Sequence, residues 1–230
     1  MIEDVDKAYR SQIERVPRTM EKVYQELKEH GRFPLDGTEV TRAVLLRLAS
    51  YYKSQKIACK TLGKNKIGAG SDFFVETILF FTDLLRDISG LDIEVRSESD
   101  IRIIRKGQKG ATRPDISIWM NGKLKVAIEC KTQLGFNRDG WQKEFEERER
   151  KIHAIYPSAK IFLLVMTSAG FIAKKNREDF LSRKDVGKKI FVLSEVWPDK
   201  ITYDNVDEHI IHSLESLFVS MMDVCNLPRK

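Results

Sequence analysis

Two acids and a lysine occupy alternate positions on two predicted strands. Asp115 begins the segment 115–120, and Glu129 and Lys131 lie near the end of the segment 124–131. Because successive side chains of a strand point to opposite faces, Glu129 and Lys131 share one face. Two carboxylates held close together repel each other unless a cation lies between them. Oxygen ligands with few imidazoles nearby favour Mg²⁺, or Mn²⁺ as a substitute, over zinc.

The register of this hairpin decides whether Asp115 lies on the same face as Glu129. When the strands pair so that their apolar residues share one face, Asp115 lies across from Glu129. Asn121 and Gly122 would by default form a two-residue turn, which shifts the pairing by one residue and separates the two acids. The alternation on both strands contradicts that shift. We therefore predict a three-residue loop, 121–123, or a bulge near Asp115.

Helices and strands alternate around the hairpin. Apolar spacing predicts helices within 3–60, at 71–89, 139–153 and 207–225, and strands at 91–97, 101–105, 115–120, 124–131, 161–166 and 190–193. The charged helix 139–153 is expected to turn i,i+4 pairs such as Glu144–Arg148 outward. This order predicts an α/β fold with a mixed sheet, in which an α-helical region, 1–70, precedes a core, 71–230.

The basic residues are unevenly distributed along the chain. The net charge of the 230 residues is only +6, but residues 40–71 and 101–114 contain no acid. Such stretches can neutralise backbone phosphates, and the alternative is a solvated surface that keeps the protein in solution. The candidate DNA-binding residues are Arg42, Arg47, Lys53, Lys56, Lys60, Lys64, Lys66, Arg102, Arg105, Lys106, Lys109 and Arg113.

Composition bounds the cellular context. The three cysteines are scattered, which argues against a disulfide scaffold and favours a reducing compartment. No apolar run approaches the roughly 20 residues that span a bilayer, and the first residues are acidic where a signal peptide would be basic. We expect a cytoplasmic protein that does not enter the membrane.

Pro114-Asp115 followed by Glu129-Cys130-Lys131 resembles the PD-(D/E)xK signature of restriction-endonuclease-like nucleases. The predicted order of helix, three strands, helix and strand over 71–166 is similar to the core of that superfamily, and it covers about 100 of the 230 residues. The resemblance implies a three-layer α/β/α fold. An ordinary charged outer face of a sheet is the alternative.

The resemblance also implies roles for individual residues. Asp115, Glu129 and the backbone carbonyl of Cys130 would bind the metal, and Lys131 would assist the attacking water. Glu76 is the candidate for the further acid that many members supply from the helix before the first strand.

Two glutamines are candidates for supporting roles. Gln133 continues the alternation of Glu129 and Lys131, and Gln142 on the next helix is placed to reach a phosphate. Related exonuclease-type members carry a Gln and then a Tyr four residues later. Here Gln142 is followed by Glu146, which argues against that subgroup.

The function implied by the resemblance is Mg²⁺-dependent endonucleolytic hydrolysis of double-stranded DNA, most like a type II restriction endonuclease. Cutting two strands favours a homodimer, and a cognate DNA methyltransferase would be a partner. Two alternatives stay open. One is a structure-specific nuclease of repair or recombination, resembling a junction resolvase, and the other is a non-catalytic DNA-binding module with a degenerate nuclease fold.

Overall fold

In a computed structural model, a five-stranded mixed sheet lies between two sets of helices. The structure describes residues 2–31, 33–65, 70–101, 112–134, 140–171 and 174–227. The helices are α1 (Ile2–Glu29), α2 (Glu39–Leu62), α3 (Ser71–Ser89), α4 (Gly140–His153), α5 (Lys174–Leu181) and α6 (Leu214–Cys225). The strands are β1 (Glu94–Ser97), β2 (Ile116–Met120), β3 (Lys123–Gln133), β4 (Lys160–Thr167) and β5 (Ile190–Ser194). Two short 3₁₀ turns, Pro198–Lys200 and Asp207–His209, lie between β5 and α6.

The strands follow one another across the sheet in the order β1-β2-β3-β4-β5. The first three are antiparallel, and β3, β4 and β5 are parallel. Parallel neighbours need a crossover, which α4 supplies between β3 and β4 and α5 between β4 and β5. The predicted α/β class with a mixed sheet is therefore confirmed. The strand predicted at 101–105 falls almost wholly outside the described residues.

Helices cover both faces of the sheet. On one face, β2 and β3 pack through Ile116 and Ile128 into a core that α2, α3 and α6 share. On the other face, Leu163 and Val165 of β4 join Phe145 of α4 in a second core. Strands covered on both sides read as continuous apolar runs, as β4 and β5 do. Across the described ranges, no helix is long and apolar enough to cross a membrane.

The N-terminal helical region and the sheet share one core. The first core extends without interruption from Met20 of α1 to Cys225 of α6. Glu215 of α6 is fully buried and accepts hydrogen bonds from the backbone N–H groups of Val40 and Thr41, at 2.7 and 3.3 Å. It also accepts one from the Thr41 hydroxyl. These contacts satisfy free N–H groups in the first turn of α2 and fasten the N-terminal region to the C-terminal helix.

The β2–β3 hairpin combines a two-residue turn with a bulge. Asn121 and Gly122 have φ angles of +52° and +69°, as a type I′ turn requires. The predicted three-residue loop is therefore wrong. Ile118 pairs with Val126 but Trp119 pairs with Leu124, so Lys125 is an extra residue on β3.

The predicted register is nevertheless confirmed, because Ile116 lies opposite Ile128. A bulge restores it, but the bulge lies beside the turn and not near Asp115. Burial of the apolar face fixes the register at the end away from the turn, where Ile116 pairs with Ile128. Asn121-Gly122 fixes the register next to the turn. One bulged residue reconciles these two requirements.

Candidate active site

The hairpin brings Asp115 next to Glu129. Asp115 immediately precedes Ile116, and the partner of Ile116 is Ile128, one residue before Glu129. The two carboxylates are close enough that the charge on Asp115 raises the pKa of Glu129. The juxtaposition predicted from the alternation is therefore present in the fold.

A hydrogen bond to the backbone of β3 fixes Asp115. The N–H of Cys130 donates to the Asp115 Oδ2 atom at 2.6 Å. Since β2 begins at Ile116, Cys130 lies beyond the start of that strand, and the carboxylate supplies the acceptor there. The bond uses one of the two carboxylate oxygens of Asp115. The Cys130 side chain is buried in the core that packs against α3, and burial raises the pKa of its thiol.

Glu129 is a buried acid paired with an arginine. It is 3% exposed, and the Nη1 atom of Arg148 lies 2.6 and 2.5 Å from its two oxygens. Burial raises the pKa of Glu129 to about 7. The hydrogen bond and charge of Arg148 oppose that rise, the charge of Asp115 adds to it, and the charge of Lys131 opposes it. The carboxylate therefore lies where a cation favours its ionised form.

Arg148 is a residue of the site that the sequence patterns did not predict. The i,i+4 pattern predicted an outward pair with Glu144, but the side chain bonds Glu129 on the sheet. Arg148 follows the buried Phe145 by three positions and precedes the buried Ile152 by four. That spacing places it on the inner face of α4, and this was the signal available in the sequence.

A cavity of about 310 Å³ opens between β3 and α4, beside Glu129 and the exposed Lys131. Its charged lining mixes cations and acids. The cations are Arg113, Lys131, Arg148 and Lys151, and the acids are Glu129, Glu144 and Glu147. A cleft with several cations can hold a phosphate beside Glu129.

Glu76 does not join the two acids. It pairs with Arg47 at 2.6 Å, and its side chain is 65% exposed. Within the described ranges, no three His, Cys, Asp or Glu residues are grouped so that they could hold a metal ion. The structure therefore does not support the prediction that Glu76 is a ligand beside Asp115 and Glu129. The oxygen donors that remain, two carboxylates and the predicted Cys130 carbonyl, fit the chemistry of Mg²⁺ or Mn²⁺.

The two predicted supporting glutamines differ in their surroundings. Gln142 donates to Glu146 at 2.7 Å and accepts from Arg183 at 2.9 Å, so both ends of its amide bond other side chains. Gln133 is paired with Thr167 at the end of β3 and is half-buried. Contact of either residue with a phosphate stays a prediction.

Arg47 is not available to DNA, which contradicts its predicted role. It is 8% exposed, and its guanidinium bonds Thr77 at 2.9 Å as well as Glu76. The guanidinium also packs 4.6 Å from the centre of the Phe73 ring. Arg47 therefore joins α2 to α3. The absence of acids near Arg47 in the sequence did not predict these contacts, because the partners of Arg47 lie in another helix.

Three further basic residues of α2 bind the C-terminal part of the chain. Lys53 donates to the Ile201 carbonyl at 2.5 Å, and Lys56 pairs with Asp199 at 3.0 Å. Arg42 forms an ion pair with Asp207. These contacts replace part of the positive surface that the sequence predicted for DNA.

The remaining candidates divide into two groups. Lys60, Lys64 and Arg113 are exposed; Arg113 also lines the cavity and lies 3.9 Å from the Asp100 carboxylate. The others lie outside the described residues: Lys66, Arg102, Arg105, Lys106 and Lys109. The positive surface that stays open to DNA in the described ranges is therefore smaller than the sequence predicted.

No family model, curated protein or solved structure matches this chain.

Proposed function

We propose that this protein is a metal-dependent nuclease that hydrolyses phosphodiester bonds of double-stranded DNA. The observation that carries the proposal is the buried Glu129 carboxylate, held beside Asp115 and next to a cavity with four cationic side chains. Burying an acid beside another acid destabilises a fold unless a cation compensates. Such a costly arrangement is typical of functional sites. The helix–strand order and the resemblance of Pro114-Asp115 and Glu129-Cys130-Lys131 to PD-(D/E)xK nucleases support the same reading.

The residues of the site would have separate roles. Asp115, Glu129 and the Cys130 carbonyl would hold Mg²⁺ or Mn²⁺, which when bound would stabilise negative charge developing on the phosphate. Lys131 lies two residues from Glu129 on the same face of β3, where its ammonium can orient the attacking water and neutralise the phosphate. Arg113 and Lys151 would hold neighbouring backbone phosphates at the rim of the cavity.

The reaction is hydrolysis and needs no other reactant than water. The oxygen of water forms a new bond to phosphorus while one ester P–O bond breaks. One hydrogen of the water ends on the leaving oxygen as a hydroxyl. The other stays on the new phosphate oxygen until the solvent takes it up as a proton.

Within this class, a type II restriction endonuclease is the narrower form of the proposal, acting as a homodimer with a cognate DNA methyltransferase to protect the host sites. A structure-specific nuclease is the alternative within the same chemistry. Cleavage of plain plasmid into fixed fragments would support the first, and cleavage restricted to branched substrates would support the second.

A non-catalytic DNA-binding module is favoured by one observation. Arg148 already neutralises Glu129, and no third acid among the described residues completes a metal cluster. Binding of DNA without cleavage at any concentration of Mg²⁺ or Mn²⁺ would support this candidate.

The deciding experiment is plasmid cleavage in Mg²⁺ by the wild type, Asp115→Asn and Lys131→Met, with Lys123→Met as the control. Lys123 is an exposed lysine at the other end of the same strand. We expect the first two variants to lose cleavage by at least about a hundredfold, while the control keeps it. Equal activity in all four proteins would overturn the proposal.

A further inference from the structure

The contact between Arg148 and Glu129 has an unusual form for an arginine–carboxylate pair. Arginine commonly meets a carboxylate with two nitrogens, one for each oxygen. Here a single nitrogen, Nη1, contacts both oxygens, at 2.6 and 2.5 Å. Nearly equal distances place this nitrogen on the open side of the carboxylate, where a cation chelated by both oxygens would lie. The same nitrogen donates to the Arg113 carbonyl at 3.1 Å, which holds the guanidinium in position.

Burial leaves little room for a second cation. The Glu129 side chain is 4% exposed, whereas that of Arg148 is 39% exposed. A divalent ion bound to the same oxygens would lie within a few ångströms of the guanidinium, and like charges that close repel strongly in a covered site. Arg148 must therefore release Glu129 before that carboxylate can serve as a metal ligand.

The displaced side chain has a place to go. Arg148 lies on α4 and lines the same cavity as Lys131. A guanidinium is suited to bidentate contact with phosphate. The Arg148 guanidinium can thus move from the Glu129 carboxylate to a substrate phosphate in the cavity, because both positions are within reach of its side chain.

We propose that Arg148 occupies the cation position on Glu129 and transfers to the substrate phosphate when a metal ion takes that position. The inference rests on the proposed metal-binding role of Glu129. Arg148 would then compete with the metal for Glu129 and assist the binding of the substrate phosphate. Removing Arg148 should therefore strengthen metal binding and slow cleavage.

The test is calorimetric titration of the whole protein with Mn²⁺ alone, repeated at rising pH until the affinity of each variant no longer changes, beside plasmid cleavage. Arg148→Met should bind Mn²⁺ about tenfold more tightly, as expected if Glu129 is free in about a tenth of wild-type molecules. The same variant should cleave more slowly. Arg148→Lys, which keeps the charge, should stay closer to the wild type in both measurements.

Arg150→Met is the matched control, since Arg150 lies on the same helix and pairs with Glu147 at 2.8 Å. It removes the same charge and should leave Mn²⁺ affinity unchanged. If Arg148→Met does not fold, as judged by circular dichroism, Arg148→Gln provides the same comparison.

Unchanged or weaker Mn²⁺ binding on removal of Arg148 would overturn the inference. Asp115→Asn and Glu129→Gln distinguish this failure from failure of the proposed function. If these two weaken Mn²⁺ binding while Arg148→Met does not strengthen it, the inference alone is wrong. If neither the wild type nor Arg148→Met binds Mn²⁺, or if these two substitutions leave binding unchanged, both are wrong.

Discussion

The backbone N–H of Cys130 donates a 2.6 Å hydrogen bond to the Asp115 carboxylate, so the proposed metal-binding acid also completes the edge of the hairpin. β2 begins one residue later, at Ile116. The side chain therefore takes the place of a backbone acceptor at the end of the strand pair. Asp115 therefore has a structural role, as the acceptor for the Cys130 N–H, and a proposed role in metal binding. Suitable substitutions can separate these two roles.

Asp115→Asn and Asp115→Ala should differ in stability but not in activity. Asparagine keeps an oxygen that can accept from Cys130, whereas alanine leaves that N–H without its acceptor. We expect Asp115→Ala to lower the free energy of unfolding by about 1–2 kcal/mol and Asp115→Asn by clearly less. Both should lose cleavage, because neither supplies a carboxylate. Urea denaturation and plasmid cleavage measure the two effects, and equal stability of the two variants would contradict the structural role.

Glu129 should make the protein less stable as the pH rises. Its pKa is about 7 in the folded protein against an ordinary value of 4.5. The folded state therefore holds a proton that the unfolded state has lost between these values. The stabilisation is fully present below about pH 4.5 and disappears as the pH rises through about 7.

Glu129→Gln removes this titration. The free energy of unfolding of the variant relative to the wild type should rise by up to about 3 kcal/mol between pH 4.5 and 8, as expected for a carboxyl whose pKa is about 7 in the folded protein and 4.5 in the unfolded chain. Urea denaturation across that range, in the presence of a chelator, measures the difference. A difference that does not vary with pH would show that Glu129 titrates normally. Asp185→Asn is the control that should show little change over this range, because Arg183 lowers the pKa of Asp185 below its ordinary value of 3.8 and the carboxylate is largely ionised in both the folded and the unfolded protein from pH 4.5 upward.

Deleting Lys125 should leave the hairpin about as stable as substituting it does. Four residues separate Ile116 from the Asn121-Gly122 turn and five separate that turn from Ile128, so Lys125 is the one residue in excess. Without it, the two strands have equal lengths, and a regular hairpin keeps the turn, the pairing of Ile116 with Ile128 and both buried faces. We expect the deletion and Lys125→Ala each to lower the free energy of unfolding by less than about 1 kcal/mol. Thermal unfolding compares the two, and a deletion variant that is far less stable than Lys125→Ala would contradict this account of the register.

Arg47 and the exposed lysines of α2 should respond oppositely to substitution. Arg47→Met removes a buried contact between α2 and α3, so it should lower the melting temperature and leave the salt dependence of DNA binding unchanged. Substituting both Lys60 and Lys64 with alanine should leave stability unchanged. If both lysines contact phosphates, the slope of log affinity against log salt falls by about 1.8, or 0.9 for each contact.

Fluorescence anisotropy with a labelled duplex at several salt concentrations measures these slopes. A reduced slope for Arg47→Met, at a temperature where the variant is folded, would show that the guanidinium reaches DNA after all. An unchanged slope for the double lysine variant would place the DNA-binding surface elsewhere in the protein.

The alternation of the hairpin was sufficient to predict the juxtaposition of the two acids. Apolar residues at alternate positions of the sequence leave one register that keeps Ile116 opposite Ile128, and that register carries Asp115 to Glu129. The same alternation could not locate the bulge. The position of the bulge depends on both the turn preference of Asn121-Gly122 and the burial of the apolar face. A pattern with period two does not show where along the strand these two requirements are reconciled.

The basic residues illustrate what the sequence leaves open. An acid-free stretch shows only that no acid lies nearby along the chain. Arg47, Lys53 and Lys56 meet acceptors from distant segments, in Glu76, Ile201 and Asp199. Those partners lie in α3 and after β5, and no local pattern describes how these segments pack against α2. The predicted positive surface was therefore larger than the one that the described residues present.

Periodicity and alternation in the sequence determined the α/β class, the mixed sheet, and the shared face of Asp115, Glu129 and Lys131, because these depend on side-chain direction within a strand or helix. Only the tertiary structure decided which side chains compensate the buried charges. Arg148 turns inward to Glu129, and Glu76 turns away to Arg47. The reason is physical: the energy of a buried carboxylate depends on what surrounds it in three dimensions, and its neighbours come from elements far apart in the chain.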